Sequence, residues 1–204
     1  MKRNWMIASA LGLALATPVA AADDKAPVSD AAMTKITTVC QICHGLQGDS
    51  IIAIYPRLNG QTERYLTNQL TNFREQKRGD PEAMAIMWGM ASQLDDSLIA
   101  DIAKYYASQK PTEAQTGGAL ADYGKEIFMN GAPAQNIPPC MACHGEHGEG
   151  SAEVPRIAGQ HGEYLREQLT AFRNRLRNNE VMHANTKEMT DDQIEAIVSY
   201  LAND

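Results

Sequence analysis

Apolar residues recur at helical spacing in two widely separated stretches. Tyr65, Leu66, Gln69, Leu70 and Phe73 fall at i, i+1, i+4, i+5 and i+8, which places them on one side of a helix. Tyr164, Leu165, Gln168, Leu169 and Phe172 repeat that pattern at an offset of 99. A terminal helix is predicted in each half. One opens at Asp95-Asp96-Ser97 and turns Leu98, Ile99, Ile102, Tyr105 and Tyr106 inward. The other opens at Thr190-Asp191-Asp192 and turns Ile194, Ile197, Val198 and Leu201 inward. Acids at these openings suit the positive end of the helix dipole, and Thr190 supplies a capping oxygen. A short helix is predicted ahead of Cys40 and of Cys140, clearest at Gly124-Lys125-Glu126-Ile127-Phe128. No run alternates apolar and polar residues for long enough to predict a strand, so the chain is all-α.

The two halves are copies. Cys40-Gln-Ile-Cys43-His44 aligns with Cys140-Met-Ala-Cys143-His144 at an offset of 100, and Pro56-Arg57-Leu58-Asn59-Gly60-Gln61 with Pro155-Arg156-Ile157-Ala158-Gly159-Gln160 at 99. Near the ends, Asp96, Ile99, Ile102 and Tyr105 match Asp191, Ile194, Ile197 and Tyr200 at 95. The offset changes fall in loop-like stretches. Such self-similarity predicts a duplicated domain, with copies at 23–108 and 119–204. Residues 109–118 are polar, contain Pro and Gly, and are predicted to be the linker.

Residues 1–22 carry a different signal. Lys2 and Arg3 start it, Trp5 to Ala16 form an apolar run, and Val19-Ala20-Ala21-Ala22 offers small residues for cleavage, so a removable export signal is predicted. The apolar run is too short to span a bilayer comfortably. Removing Lys2 and Arg3 takes the basic count from 18 to 16 against 25 acids, and the formal charge from −7 to −9. That balance argues against nucleic acid as a partner and favours docking to a basic surface. Aromatic residues make up only 6% of the chain, which leaves the cores short of bulk unless a cofactor fills them.

The four cysteines supply that cofactor. C-x-x-C-H is the attachment sequence for a c-type haem: two thiols three positions apart reach the two vinyl groups, and the adjacent imidazole turns onto the iron. A shared zinc site is the competing use of two C-x-x-C pairs, but the pairs lie 100 residues apart and each is followed by His-Gly. A thioredoxin-like pair needs a βαβ context that is missing, and two disulfides would leave both histidines without a role. Two covalently bound haem c groups are therefore predicted, with thioethers at Cys40, Cys43, Cys140 and Cys143 and iron ligands at His44 and His144. Covalent haem attachment belongs to the export side of the membrane, so motif and leader both predict a periplasmic protein.

A second protein ligand closes the iron for electron transfer, and methionine is the expected one in carriers. The first copy offers Met84, Met87 and Met90, any of which has a core packing role as its plainer explanation. At the local offset of 95, Met84 falls on Asn179 and Met90 on Asn185, whereas Met87 falls on Met182. Met87 and Met182 are the predicted sixth ligands. Met189 replaces Leu94 at a helix entry and is set aside. His147, His161 and His183 lack histidine counterparts and are expected on the solvent side. Pro56 and Pro155 follow their histidines by 12 and 11 residues, where a carbonyl can hold the ligand's Nδ1–H. Arg57 and Arg156 come next and point to the haem propionates.

These tandem C-x-x-C-H-G units, the P-R-[LI]-x-G-Q blocks, the placing of Met87 and Met182 and the terminal Ile-x-x-[IY] helices resemble the dihaem cytochrome c4 family over essentially the whole mature chain. The resemblance implies two class I cytochrome c domains, each with one haem, related by a pseudo-twofold axis. It also implies His/Met ligation, haem edges close enough for intramolecular transfer, and both propionate sets near the domain interface. Family members carry electrons in the periplasm, commonly from a quinol-oxidising cytochrome complex to a terminal oxidase, and some associate peripherally with the membrane. One departure is that Ala32-Met33-Thr34-Lys35-Ile36 stands where the second copy has Gly124-x-x-x-Phe128. The function expected is one-electron transfer in a respiratory chain, with no substrate at iron and no enzymatic turnover. The alternative is the dihaem electron-accepting subunit of a flavocytochrome-type dehydrogenase. A dihaem peroxidase or thiosulfate oxidase needs an open iron, against which the two symmetric methionines argue.

Overall fold

Ser29 caps the first helix through its side chain, which accepts from the Ala32 N–H at 3.3 Å. In this computed structural model, which describes residues 27–203, that helix is α1 (Asp30–Lys35). The export signal predicted at 1–22 lies outside the described residues. α1 runs through a π-helical turn, Ile36–Cys40, into α2 (Gln41–His44). The first half continues with α3 (Glu63–Arg74), a second π-helical turn at Ala83–Met87, α4 (Trp88–Ala91) and α5 (Asp96–Ala107). The second half holds α6 (Ala121–Asn130), α7 (Met141–His144), α8 (Gly162–Arg173), α9 (Glu180–Thr186) and α10 (Asp191–Leu201). Thr190 and Gln193 form a reciprocal capping box at the start of α10. Among the described residues, β structure is confined to three isolated bridges.

Each half has its own apolar core. Leu66 and Phe73 of α3 meet Ile99, Ile102 and Tyr106 of α5, with Ala32 and Ile36 closing the cluster. Leu165, Ile194, Ile197 and Leu201 meet Ile127 and Phe128 in the second half. The terminal helices thus bury the stripes predicted for them, except that Leu98 and Tyr105 are only half-buried. α6 lies so close to α10 that a Cβ on Gly124 would stand 1.8 Å from the Ala196 carbonyl oxygen. In the first half, Ala32 and Ile36 take the places of Gly124 and Phe128 and both are fully buried. The departure seen in the sequence is absorbed by a small residue at the same point of helix approach.

The halves meet through a polar seam with reciprocal contacts. Gln160 accepts from the Arg57 N–H at 2.8 Å and donates to the Arg57 carbonyl at 3.0 Å. Gln61 does the same with Arg156, at 2.8 Å in both directions. A second cluster gathers Arg78 and Arg177, stacked over Phe73 and Phe172 at 4.8 and 4.6 Å. Arg177 bonds Tyr65 and Gln69 of the first half at 2.6 and 2.9 Å, while Arg78 bonds Gln168 and Tyr164 of the second at 2.8 and 3.3 Å. The segment joining α5 to α6 is tied to both sides. Asn59 donates to the Lys110 carbonyl at 2.8 Å, and the Gln115 N–H donates to the Ala202 carbonyl at 2.9 Å. A Cβ on Gly159 would sit 2.0 Å from the Thr112 carbonyl oxygen, so this approach also requires glycine.

The seam breaks the symmetry at one buried charge. Asp80 pairs with Arg78 at 2.6 and 3.0 Å, whereas in the second copy, at the offset of 99 that pairs Arg78 with Arg177, the residue two beyond the arginine is Asn179. Burial works to raise the Asp80 carboxyl, but the Arg78 hydrogen bonds and charge outweigh it and hold the group below its ordinary value. A carboxyl depressed on folding contributes stability that is complete above its unfolded value and is lost as pH falls through the folded one. Asp80→Asn leaves Arg78 buried without its counter-charge. It is expected to cost about 3 kcal/mol at neutral pH. The gap between variant and parent should close as the medium is acidified through the lowered Asp80 value. Urea unfolding at a series of pH values checks this, and a gap of constant size would refute it.

Candidate functional site

One helical turn carries the whole attachment motif in each half. α2 ends at His44 and α7 at His144, and Gly45 and Gly145 follow with φ of +76° and +85°. Both histidines are buried. Nδ1 of His44 donates to the Pro56 carbonyl at 2.9 Å, and Nδ1 of His144 donates to the Pro155 carbonyl at 2.9 Å. Burial pushes both imidazoles below their ordinary value, against the smaller upward pull of the proline carbonyls. A neutral ring with its proton held on Nδ1 keeps its lone pair on Nε2, the form that a metal takes. Among the described residues no hydrogen bond engages either Nε2.

The thiols match that arrangement. None of the four cysteines is disulfide-bonded, and Cys40 and Cys140 pack against the first and second core respectively. Burial pushes the Cys40 thiol up, and pushes Cys140 up to about 11. Ser50 Oγ donates to the Cys43 carbonyl at 2.8 Å and pins the loop that returns to Pro56. The donor set in each half is therefore two thiols and one neutral, pre-oriented imidazole on a single turn. Those residues fit a covalently attached haem.

The candidate sixth ligands sit on short helical pieces. Met87 ends the π-helical turn and packs, half-buried, against the first core, while Met84 and Met90 are 48% and 51% exposed. Both π-helical turns of the first half thus end on residues singled out by the sequence, Cys40 and Met87, and such turns are frequent at functional sites. Met182 lies in α9, half-buried, with its N–H held by the Asn179 cap at 2.9 Å. Met189 is a core residue, as Leu94 is in the first half.

Two histidines are not where the sequence put them. His161, expected on the solvent side, is 4% exposed and donates from Nε2 to the Ser50 carbonyl across the seam at 2.8 Å. Its counterpart Thr62 likewise reaches across, to the Ala152 carbonyl at 2.5 Å. His183 is half-buried and donates from Nδ1 to the Phe172 carbonyl at 2.9 Å. Trp88, its counterpart, donates to the Arg78 carbonyl at 2.8 Å. Each follows a candidate methionine and ties that methionine's helix down. The shared N–H donor at the offset of 95 was the available signal for this role. His147 is exposed, as expected. Arg57 and Arg156 spend their guanidiniums on the seam: Arg57 bonds the Gly159 and Asn203 carbonyls at 2.9 and 2.5 Å, and Arg156 bonds the Thr112 carbonyl at 3.1 Å.

Known proteins share this arrangement. The family model described as cytochrome c matches residues 31–110 and again 121–203. Cytochrome c4 of Azotobacter vinelandii is 37% identical over 174 residues, covering 80% of this chain and 83% of the relative. A thiosulfate dehydrogenase electron acceptor of Stutzerimonas stutzeri is 33% identical over 208 residues, covering 98% of this chain and 94% of that protein. The crystal structure of reduced recombinant cytochrome c4 from Pseudomonas stutzeri superposes with a TM-score of 0.76 at 36% identity, covering 86% of this chain and 98% of that one.

Proposed function

The chain belongs to the dihaem cytochrome c4 family, and from that membership we propose that it works in the periplasm, passing single electrons from a quinol-oxidising cytochrome complex towards a terminal oxidase. It is an electron-transfer protein with two covalent haem c groups, one at each C-x-x-C-H motif. The observation that carries the reading is the repeated pairing of a buried neutral histidine with a proline carbonyl at 2.9 Å in both halves. When bound, each haem supplies a one-electron Fe(III)/Fe(II) couple. The residues do the rest. Cys40, Cys43, Cys140 and Cys143 tether the groups, and His44 and His144 present Nε2 to the metal. Pro56 and Pro155 fix the ring planes and the tautomer. Met87 and Met182 would hold the metal through soft thioether sulfurs, which favour the reduced state and keep external molecules away. The domains of this reading are 23–108 and 119–204, joined by 109–118.

A second reading draws on the thiosulfate dehydrogenase electron acceptor that the chain resembles over nearly its full length. There the donor is a thiosulfate dehydrogenase in place of a quinol-oxidising complex. Stopped-flow reduction of the purified dihaem protein by each donor separates the two. Reduction by the quinol-oxidising complex should be the faster and should slow as salt rises, since the chain is acidic. Faster reduction by thiosulfate dehydrogenase would establish the second reading. Rates that stay flat from low to high salt would remove the basic docking surface from either. Recovery of two haems per chain in the periplasmic fraction checks the export signal at the same time.

A further inference from the structure

The Pro56–Arg57 peptide makes two bonds at once. Its carbonyl oxygen accepts from Nδ1 of His44 at 2.9 Å, and its N–H, at the other end of the same amide, donates to Oε1 of Gln160 at 2.8 Å. The Pro155–Arg156 peptide repeats the pattern with His144 at 2.9 Å and Gln61 at 2.8 Å. Each motif histidine is therefore one peptide and two hydrogen bonds from a side chain of the other half. Both glutamines are buried. Their orientation is forced by what surrounds them. Oε1 of Gln61 also accepts from the Thr62 N–H at 2.9 Å, and Oε1 of Gln160 from the His161 N–H at 3.0 Å. Both Nε2 groups meet carbonyls, those of Arg156 and Arg57. A flipped amide would set N–H against N–H and oxygen against oxygen.

We propose that Gln61 and Gln160 are positioning residues that act across the seam, each polarising the peptide that holds the opposite domain's axial histidine and so setting that domain's haem potential. The chemistry is hydrogen-bond cooperativity. An amide whose N–H is engaged carries more electron density on its carbonyl, which becomes a stronger acceptor. A stronger acceptor at Nδ1 gives the imidazole more anionic character, and a more basic ligand favours the oxidised metal. Loss of the glutamine weakens this chain of bonds and raises the potential of the haem it does not share a domain with. Domain docking and redox tuning are then one structural event, because the bond that tunes each site exists only while the halves are in contact. The inference rests on His44 and His144 as the axial ligands.

The test is a redox titration of the holoprotein, following assigned NMR signals of each haem separately. Gln160→Ala should raise the potential of the haem at Cys40 and Cys43 by more than that of its own domain's haem. Gln61→Ala should do the reverse. Gln160→Met, close in shape and without an acceptor for the Arg57 N–H, should shift the first-domain haem in the same direction as alanine, and it carries the test if the alanine variant yields no holoprotein. Exchange of the His44 Nδ1 proton should quicken in Gln160→Ala and not in Gln61→Ala. Potentials that stay put, that move equally, or that move most in the substituted domain would assign the glutamines to packing alone and overturn the proposal. Failure of the ligand assignment is distinguishable, because the His44 and His144 ring signals of the unsubstituted protein would then show no displacement by the iron.

Discussion

Met182→Ala is expected to remove one haem's share of the weak far-red band that ferric iron shows with methionine sulfur, and Met87→Ala the other share. In each variant, one iron should turn high-spin and bind carbon monoxide or cyanide without denaturant. Its potential should fall by on the order of 0.1–0.3 V, within the ~0.8 V span that axial ligands command. The expectation follows from how the two residues are held. Met87 closes a π-helical turn whose next residue, Trp88, is bonded to the Arg78 carbonyl at 2.8 Å. Met182 is followed by His183, bonded to the Phe172 carbonyl at 2.9 Å. Those anchors keep the short helices in place when the sulfur is removed, so the site should open without unfolding. Met84→Ala and Met90→Ala, at exposed positions, should leave the band intact. A band that survives in Met87→Ala and vanishes in Met84→Ala would move the ligand assignment.

The largest effect on stability is expected at Gly124. A side chain there meets backbone, with the Ala196 carbonyl oxygen at 1.8 Å and its carbon at 2.5 Å from an added Cβ. α6 and α10 would have to part, opening the core that Ile127, Phe128, Ile194 and Ile197 share. Overpacking usually costs about 1–3 kcal/mol and more where nothing can yield, so Gly124→Val is placed at roughly 3 kcal/mol or above. Urea unfolding of the holoprotein, followed by haem absorbance, reads the change. The mirror substitution, Ala32→Gly in α1, should cost only about 1 kcal/mol, from lost helix propensity and a lost methyl contact. A loss below about 1 kcal/mol in Gly124→Val would mean that the helices do not approach as closely as described.

Much of this architecture was legible in the residues. The faces of α3, α5, α8 and α10 show in the chain because their apolar periodicity is set by burial in one core on one side of each helix. The duplication shows because both copies answer to the same attachment chemistry. The seam was opaque for a physical reason. Arg78, Arg177, Gln69 and Gln168 are residue types that normally face water; they bond within their own halves, and only a second, oppositely placed copy completes their set of partners. His161 misled in the same way: its counterpart Thr62 carried no hint that both reach across. The π-helical turns before Cys40 and Met87 have no local sequence signal either, since they arise from fitting one extra residue between two fixed points.

The crossed pattern of Gln61 on Arg156 and Gln160 on Arg57 has a consequence for how such a molecule comes to exist. A contact in which patch meets like patch is isologous, the kind that two identical chains make with each other. A single-domain ancestor with this surface would have assembled as a homodimer whose occupancy depended on its concentration. Fusing the copies replaces that second-order encounter by an intramolecular one with a high effective concentration, so the pairing survives dilution. Fusion also frees the halves to diverge, and Asp80 opposite Asn179 is a difference that no pair of identical subunits can hold.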